Sequence, residues 1–456
     1  METKIKANPA KRFFVEMLTR DIDLDDAILD LLDNSLDGLL RITKADLKSY
    51  KDYTIEINLS KDKFEIIDNC GGIPTAVALN YAFRMGRPTE HDDDIPTIGM
   101  YGIGMKRSVF KMGTDIEITS HNDERCFQVK IPKTWLQSDD DWNLSMNDCP
   151  ESLDYKGTSI IVQDLHVGIS KLYSNDGFVG RLIDKIAVHY AFVLKQGLKI
   201  LINGKPVQGK EISLLMDDGN IEPFVYKEDI DGLEVQIICG LADAPPSVEE
   251  DSESAETTKV NRVDAGWSII CNDRVVLYAD RSRLTGWGDG LPMFHYQFNT
   301  LVGIVSFKSN IASKLPVTTT KRGVDASSDV FLRIRREMIK GMRIFVNYTN
   351  KWKNQRDKER RTVLLDVKHE TLDTLINSET LQEKMKTSRT EPKAKVYIPK
   401  LPEPPKEDDG MRVIKYSKHK DEIEKIAEEY FENEELSSSD VGIKCFEDIL
   451  VKVNKG

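Results

Sequence analysis

The stretch AILDLLDNSLDG, residues 27–38, constrains the fold more than any other part of the chain, because it reads as one helix with two unlike faces. At about 100° per residue, Ile28, Leu29, Leu31, Leu32, Leu36 and Leu39 gather on one broad side, while Asp30, Asp33, Asn34 and Asp37 gather on the other. The leucine side demands a second layer to cover it. The acidic side is an odd choice for plain solvent exposure, since short polar side chains compete for backbone hydrogen bonds and weaken a helix interior. A hydrated Mg²⁺ would account for it, with Asp30 and Asn34, one turn apart, offering hard oxygen ligands beside waters and phosphates. An ordinary solvated face is the alternative reading.

At 456 residues the chain is long enough for two or three domains. Hydrophobic residues make up 40% and charged residues 31%, and no apolar run is long enough to span a bilayer. The start, METKIKANPAKRFF, lacks the apolar segment and cleavage site of a secretory signal, so a cytoplasmic protein with no membrane association is expected. Cys70, Cys126, Cys149, Cys239, Cys271 and Cys445 are scattered without a CxxC pair, which predicts reduced, structural thiols and no zinc site. The formal net charge of -12 argues against nonspecific polyanion binding by the whole chain. Locally, residues 333–361 are strongly basic, with Phe345, Tyr348 and Trp352 interleaved. They form either a phosphate-contacting helix, and so a candidate DNA surface, or a solvated helix whose aromatics pack inward.

Runs at 53–60 and 63–69 alternate like adjacent strands, a helix-like TAVALNYAF follows, and strands resume at DIEITS, CFQVKIP and GTSIIVQDL, so an α/β layer is expected up to about residue 170. A helix over 178–196 leads into a second strand-rich region that begins with LKILINGKPV and continues through LEVQIIC, GWSIICNDRVVLY and LVGIVSF. Residues 243–261 are acidic and apolar-poor, the composition of a mobile insertion. A long helix is expected from about 328 to 360, and a linker over 386–411 from its proline and charge content. The last segment places Ile423, Ile426, Ala427, Tyr430 and Phe431 at helical spacing, for core packing or for a protein partner.

Three short stretches bear on the acidic helix. In IIDNCGGIP, Asp68 ends a buried strand before two glycines, a turn that lets backbone approach a flat ligand while the carboxylate accepts from an adenine amino group. In IGMYGIGMKRSVF, Gly99, Gly102 and Gly104 precede a helix opening near Met105, either a phosphate cradle or a glycine-rich lid. It is not a Walker A loop, and no βαβ unit frames it as a dinucleotide site. In KGTSIIVQDL, Thr158 begins a strand.

Taken in order, D-x-x-x-N-x-x-D, D-x-x-G-G, G-x-x-G-x-G-x-K and G-T-x-I resemble the GHKL superfamily of ATPases, which includes gyrase B, the large heat-shock chaperones, sensor histidine kinases and MutL. The wording DNS-x-D-G and IGMYGIGMK is most similar to the MORC-type branch, and the likeness covers roughly 1–340. The resemblance implies an α+β fold: a Bergerat-type α/β sandwich ATPase domain over 1–172, then a transducer-like domain of the ribosomal protein S5 type over 173–330. A long basic helix with a helical extension over 331–385 and a small helical segment over 412–456 would follow. Residue by residue, it implies that Asn34 holds Mg²⁺ on the phosphates of ATP, with Asp37 lining the nucleotide and Asp30 as general base. Asp68, Gly72 and Thr158 would form the adenine end, and Gly99, Gly102, Gly104 and Lys106 would wrap the phosphates. Lys321 in LPVTTTKRGVD would reach the γ-phosphate, with Arg322 as the fallback. It further implies a homodimer closed by ATP, with the residues before about Phe14 crossing to the neighbour, acting on DNA or a protein client, in bacteria often in an anti-phage or restriction-linked setting. Two departures stand out: Asp30 replaces the usual Glu, and Cys70 replaces the first glycine of the turn. They predict a slow ATPase or, as the alternative, a nucleotide-binding regulatory or scaffold module with negligible turnover.

Overall fold

The computed structural model describes residues 10–43, 50–84, 104–138, 141–149, 154–217, 220–244, 264–318, 321–352, 367–371, 374–375, 378–389, 391–403, 414, 416–433 and 436–454. Helix α1 (Lys11–Arg20) is followed by α2 (Leu24–Thr43), the helix with two faces. Its Ala27, Ile28, Leu32, Leu36 and Leu39 are fully buried, in one core with Ile55 and Ile57 of β1 (Thr54–Leu59) and Phe64 and Ile66 of β2 (Phe64–Asp68). Both strands alternate buried with half-exposed residues, as strands covered on one face do. The expected helix at 75–83 is α3 (Thr75–Val77) running into a π-turn over Ala78–Ala82. Then come α4 (Gly104–Met112), β3 (Gly113–His121), β4 (Cys126–Ile131), α5 (Lys133–Gln137), β5 (Met146–Asp148) and β6 (Gly157–Leu165). Lys11, at the start of α1, is buried with its ammonium 3.0 Å from the Trp135 carbonyl, while residues 1–9 of the expected crossing arm lie outside the described residues.

Helices α6 (Val167–Tyr173), α7 (Asp176–His189) and α8 (Ala191–Lys195) lead to β7 (Lys199–Ile202) and β8 (Lys205–Pro206). Among the described residues the first sheet has eight strands in the order β5-β4-β3-β6-β2-β1-β7-β8. LKILINGKPV, expected to open the second region, therefore completes the first sheet, with Ile200, Ile202 and Val207 in the first core. The physical reason is that β7 pairs parallel with β1, a partner reached only through a crossover, which α6, α7 and α8 supply.

The second sheet is built from β10 (Phe224–Ile230), β11 (Leu233–Leu241), β12 (Gly266–Cys271), β13 (Arg274–Asp280), β14 (Leu301–Lys308), β16 (Lys386–Thr387) and β17 (Lys395–Tyr397), ordered β13-β12-β14-β11-β10-β17-β16. Strands β9 (Ser213–Met216) and β15 (Lys368–Thr371) pair separately. Strands β16 and β17 fall inside the segment expected as a linker, because β17 pairs with the edge of β10. The long helix is α9 (Asp329–Trp352), and α10 (Glu379–Lys384) follows it. Phe345, Tyr348 and Trp352 of α9 are buried, and a Cβ at Gly341 would meet the Phe224 ring at 2.4 Å, so only glycine permits this approach of helix to sheet. Arg333 pairs with Glu228 and Glu391, Arg335 with Asp289 at 2.6 Å, and Arg343 donates to the Gly290 carbonyl. The aromatics thus pack inward, and these three arginines are engaged within the protein. Residues 353–361 of the basic run and 245–261 of the acidic insertion lie outside the described residues.

The thiol expectation needs correction: Cys126 and Cys149 form a disulfide, Cα to Cα 5.5 Å. The register of β4 on β5, Phe127 opposite Asp148, brings the two cysteines together across 23 residues of sequence, a proximity that spacing alone does not reveal. Cys70, Cys239 and Cys271 are buried free thiols. No helix among the described residues is long and apolar enough to cross a membrane.

The chain divides into two compact units, 1–404 and 405–456. In the second, α11 (Lys420–Glu429) and α12 (Ser438–Asn454) bury Ala427 and Val441 and leave Ile443, Phe446, Ile449 and Val453 exposed.

Candidate functional site

The strand-to-glycine turn after β2 is fixed from four sides. Gly71 and Gly72 have φ of +88° and +67°, and a Cβ would lie 2.3 Å from Ile42 at the first and 2.3 Å from the His121 carbonyl at the second, so this double-glycine turn tolerates nothing larger. Cys70, where the resemblance implies glycine, is buried and free of that demand. Arg41 of α2 donates to the Gly72 carbonyl at 2.6 Å, Ile73 N–H donates to Ser120 Oγ at 2.7 Å, Asn122 donates to the Ile73 carbonyl at 2.7 Å, and Gly71 N–H donates to the Lys156 carbonyl.

Within this frame Asp68 is buried. Its Oδ2 accepts from Ser35 at 2.7 Å, and its Oδ1 accepts from Cys70 N–H at 2.9 Å and Thr158 N–H at 3.3 Å. Three donors leave a carboxylate with about one of its four lone-pair directions to offer a ligand. Thr158 is buried too, its hydroxyl 3.4 Å from that of Ser120. The structure therefore gathers Asp68, Gly72 and Thr158, with Ser35, Arg41, Ser120 and Asn122 as supports that the motif reading did not name.

Burial raises the Asp68 carboxyl above the usual carboxylate range, and the bonds from Ser35, Cys70 and Thr158 offset it only in part. A carboxyl whose folded pKa exceeds its unfolded one contributes stability at low pH that is lost as pH rises through the folded pKa. Asp68→Asn keeps the shape without the charge. We expect the unliganded variant to lose less stability than wild type between pH 4 and pH 7, measured by urea unfolding at both; equal losses would discount the buried charge.

The polar side of α2 separates into three surroundings. Asn34 is exposed and Asp37 half-buried. Asp30 is buried against the start of α4, where a Cβ on Gly104 would come within 3.4 Å of its Oδ2, and Arg107 Nη2 lies 2.5 Å from the same oxygen. Burial, aided by the charge of Asp33, raises the Asp30 carboxyl against the opposing pull of Lys321 and Arg107. Asp33, fully buried, faces the second sheet and pairs with Arg274. For Asp33 the burial penalty is outweighed by Arg274, Lys321 and the Tyr190 hydroxyl, so its carboxyl sits below the ordinary range. The stripe expected to face one metal-nucleotide thus splits, with Asp33 committed to protein.

Lys106, expected at the phosphates, donates to the carbonyls of Ala82 and Arg84 at 2.9 and 2.7 Å, closing the end of the helix over 75–82, and burial pulls its ammonium down to about 8. Its neighbour Arg107 is the cation that turns toward α2, and its Nε is buried without a hydrogen bond among the described residues. Gly99 and Gly102 lie outside the described residues. From the second sheet, the turn after β14 brings Lys321, at φ +57°, and Arg322 to α2. Lys321 Nζ is 3.6 Å from Asp33 Oδ2, and Arg322 Nε donates to Asp26 at 2.7 Å while its Nη2 stands 3.8 Å from Asp30. Both candidate cations meet the helix that carries Asp30 and Asn34.

Fit to a metal-nucleotide rests on this donor set: an exposed amide oxygen at Asn34, carboxylates at Asp30 and Asp37, an underused guanidinium at Arg107, and one free acceptor direction at Asp68. These are hard-oxygen and phosphate-seeking groups, and they suit Mg²⁺ with a nucleotide. Residues 22–159 match the family model described as Histidine kinase-, DNA gyrase B-, and HSP90-like ATPase. No curated protein matches the chain.

Proposed function

We propose, from the premise that residues 22–159 form a GHKL-type ATP-binding domain, that this protein is a Mg²⁺-dependent ATPase whose second domain responds to the nucleotide. The supporting observation is convergence on one helix. Helix α2 carries Asp30 and Asn34, ties Asp68 through Ser35, and receives Lys321 and Arg322 from the second domain. Asp68 and Thr158 read the adenine; Asn34 would hold Mg²⁺, which when bound neutralises phosphate charge, with Asp37 lining the nucleotide; Asp30 accepts the proton of the attacking water. Lys321 or Arg322 exchanges an α2 carboxylate for the γ-phosphate, so the contact differs before and after hydrolysis. An ATP-closed homodimer of the MORC-like kind acting on a protein client belongs to this proposal; action on DNA through 333–361 gains nothing from arginines already engaged along α9.

A second reading, a nucleotide-binding module with negligible turnover, is favoured by the Asp30–Arg107 pair, which occupies the base in this structure. Equilibrium binding of ATP and GTP with and without Mg²⁺, alongside phosphate release, separates the two. Saturable ATP binding with Mg²⁺-dependent phosphate release is expected, and binding without release would favour the module. Absence of ATP binding would overturn both.

A further inference from the structure

The contact between Asp33 and Arg274 plays no part in the roles assigned above, yet it is the most deeply buried ion pair described, with both side chains fully inaccessible. Arg274 opens β13 after a turn in which Asn272 and Asp273 both have positive φ, +46° and +63°. That turn is pinned to the end of β14. The Asn272 amide donates to the Ser309 carbonyl and accepts from Ser309 N–H, each at 3.0 Å, and Asp273 pairs with Lys308 at 2.9 Å. So anchored, the arginine reaches out of the second sheet into the first domain. Its Nε meets Asp33 Oδ1, its guanidinium lies 5.0 Å from the centre of the Tyr190 ring, and Tyr190 Oη sits 2.6 Å from the same Asp33 oxygen.

Asp33 directly precedes Asn34 and lies three residues after Asp30 on a rigid helix. A shift or rotation of α2 at Asp33 is therefore carried to both neighbours. Arg274 touches neither of them, and a guanidinium remains charged throughout the working pH range.

We propose that Arg274 is a positioning residue through which the second sheet sets the placement of Asp30 and Asn34 for Mg-ATP, by way of its buried contact with Asp33. The inference rests on the ATPase reading above. Asp33 divides its two oxygens, Oδ1 on Arg274 and Oδ2 at 3.6 Å from Lys321, so the second sheet acts on α2 through a fixed contact as well as through the loop bearing Lys321.

The test uses the full chain in two forms, the paired variant Asp33→Asn/Arg274→Met, which removes both buried charges together, and Arg274→Lys, which keeps the charge and loses the planar fork. ATP affinity, kcat, KM and thermal melting are measured for each. The expected result is folded protein with Mg²⁺-free ATP affinity near wild type, because the adenine end is untouched, a smaller gain in affinity on adding Mg²⁺, and kcat lowered by about 10²-fold in the paired variant, the scale of a misplaced catalytic group. Arg274→Lys should fall between it and wild type, and it carries the test if the paired variant does not fold. Wild-type kcat in both variants, or Mg²⁺-free affinity falling in step with kcat, would overturn the proposal while leaving the ATPase reading standing. Failure of the wild-type protein to bind ATP would overturn that reading and the proposal with it.

Discussion

Asp30→Ala should lower ATP hydrolysis by about 10²- to 10⁴-fold, the usual worth of a positioned general base, while ATP still binds. Asp30 is buried on α2, lies against the start of α4, and is reached by Arg107 of that helix and by Arg322 of the turn after β14. Protonation then sets the pH dependence. Only the ionised carboxylate accepts a proton, and burial raises the Asp30 carboxyl above its ordinary value. Turnover should therefore rise with pH through that raised pKa. Arg107 favours the charged form, so Arg107→Ala should move the acid limb of the rate profile to higher pH. Single-turnover phosphate release across pH, with binding measured separately, provides the check. An Asp30→Ala protein that releases phosphate at the wild-type rate would remove this carboxylate from the chemistry.

Asp33→Ala should destabilise the fold by about 3–5 kcal/mol, because removing one partner strands a buried charge. Arg274 would be left inaccessible to solvent with no carboxylate, and a guanidinium cannot shed its proton to escape. The paired variant Asp33→Asn/Arg274→Met should recover most of the loss, since exchanging a buried pair for uncharged groups is often close to neutral. The acid response has a definite sign as well. The Asp33 carboxyl is depressed in the folded chain, so its contribution is present above the ordinary carboxylate range and is lost as pH falls through the folded pKa. Urea unfolding of the two variants and wild type at neutral and acid pH reads both effects. A cost for Asp33→Ala within the roughly 0.5 kcal/mol typical of surface positions would show that the pair is not a structural anchor.

How much of this was visible in the sequence depends on whether the information is local. The leucine face of α2 follows from a 3.6-residue period, and the turn after Asp68 from glycines that alone tolerate positive φ. The Asp33–Arg274 pair was hidden, because the partners stand 241 residues apart and neither carries a local mark of the other. The choice between Lys106 and Arg107 was equally hidden. Adjacent helical residues point about 100° apart, and only packing against α2 and the end of the helix over 75–82 decides which of the two cations meets α2. The place of LKILINGKPV in the first sheet could not be read either, since alternation reveals that a strand exists and says nothing of its neighbour. The same limit concealed the disulfide between Cys126 and Cys149.

The parallel pairing of β7 with β1 also bears on how the first sheet can be isolated. A fragment cut at residue 172 would bare one long side of β1, offering a row of amide and carbonyl groups onto which other copies can stack. It would also discard Tyr190, whose hydroxyl meets Asp33. The smallest piece that keeps its own margin closed runs through Val207, so the helices between the two sheets belong with the first sheet rather than to a detachable hinge.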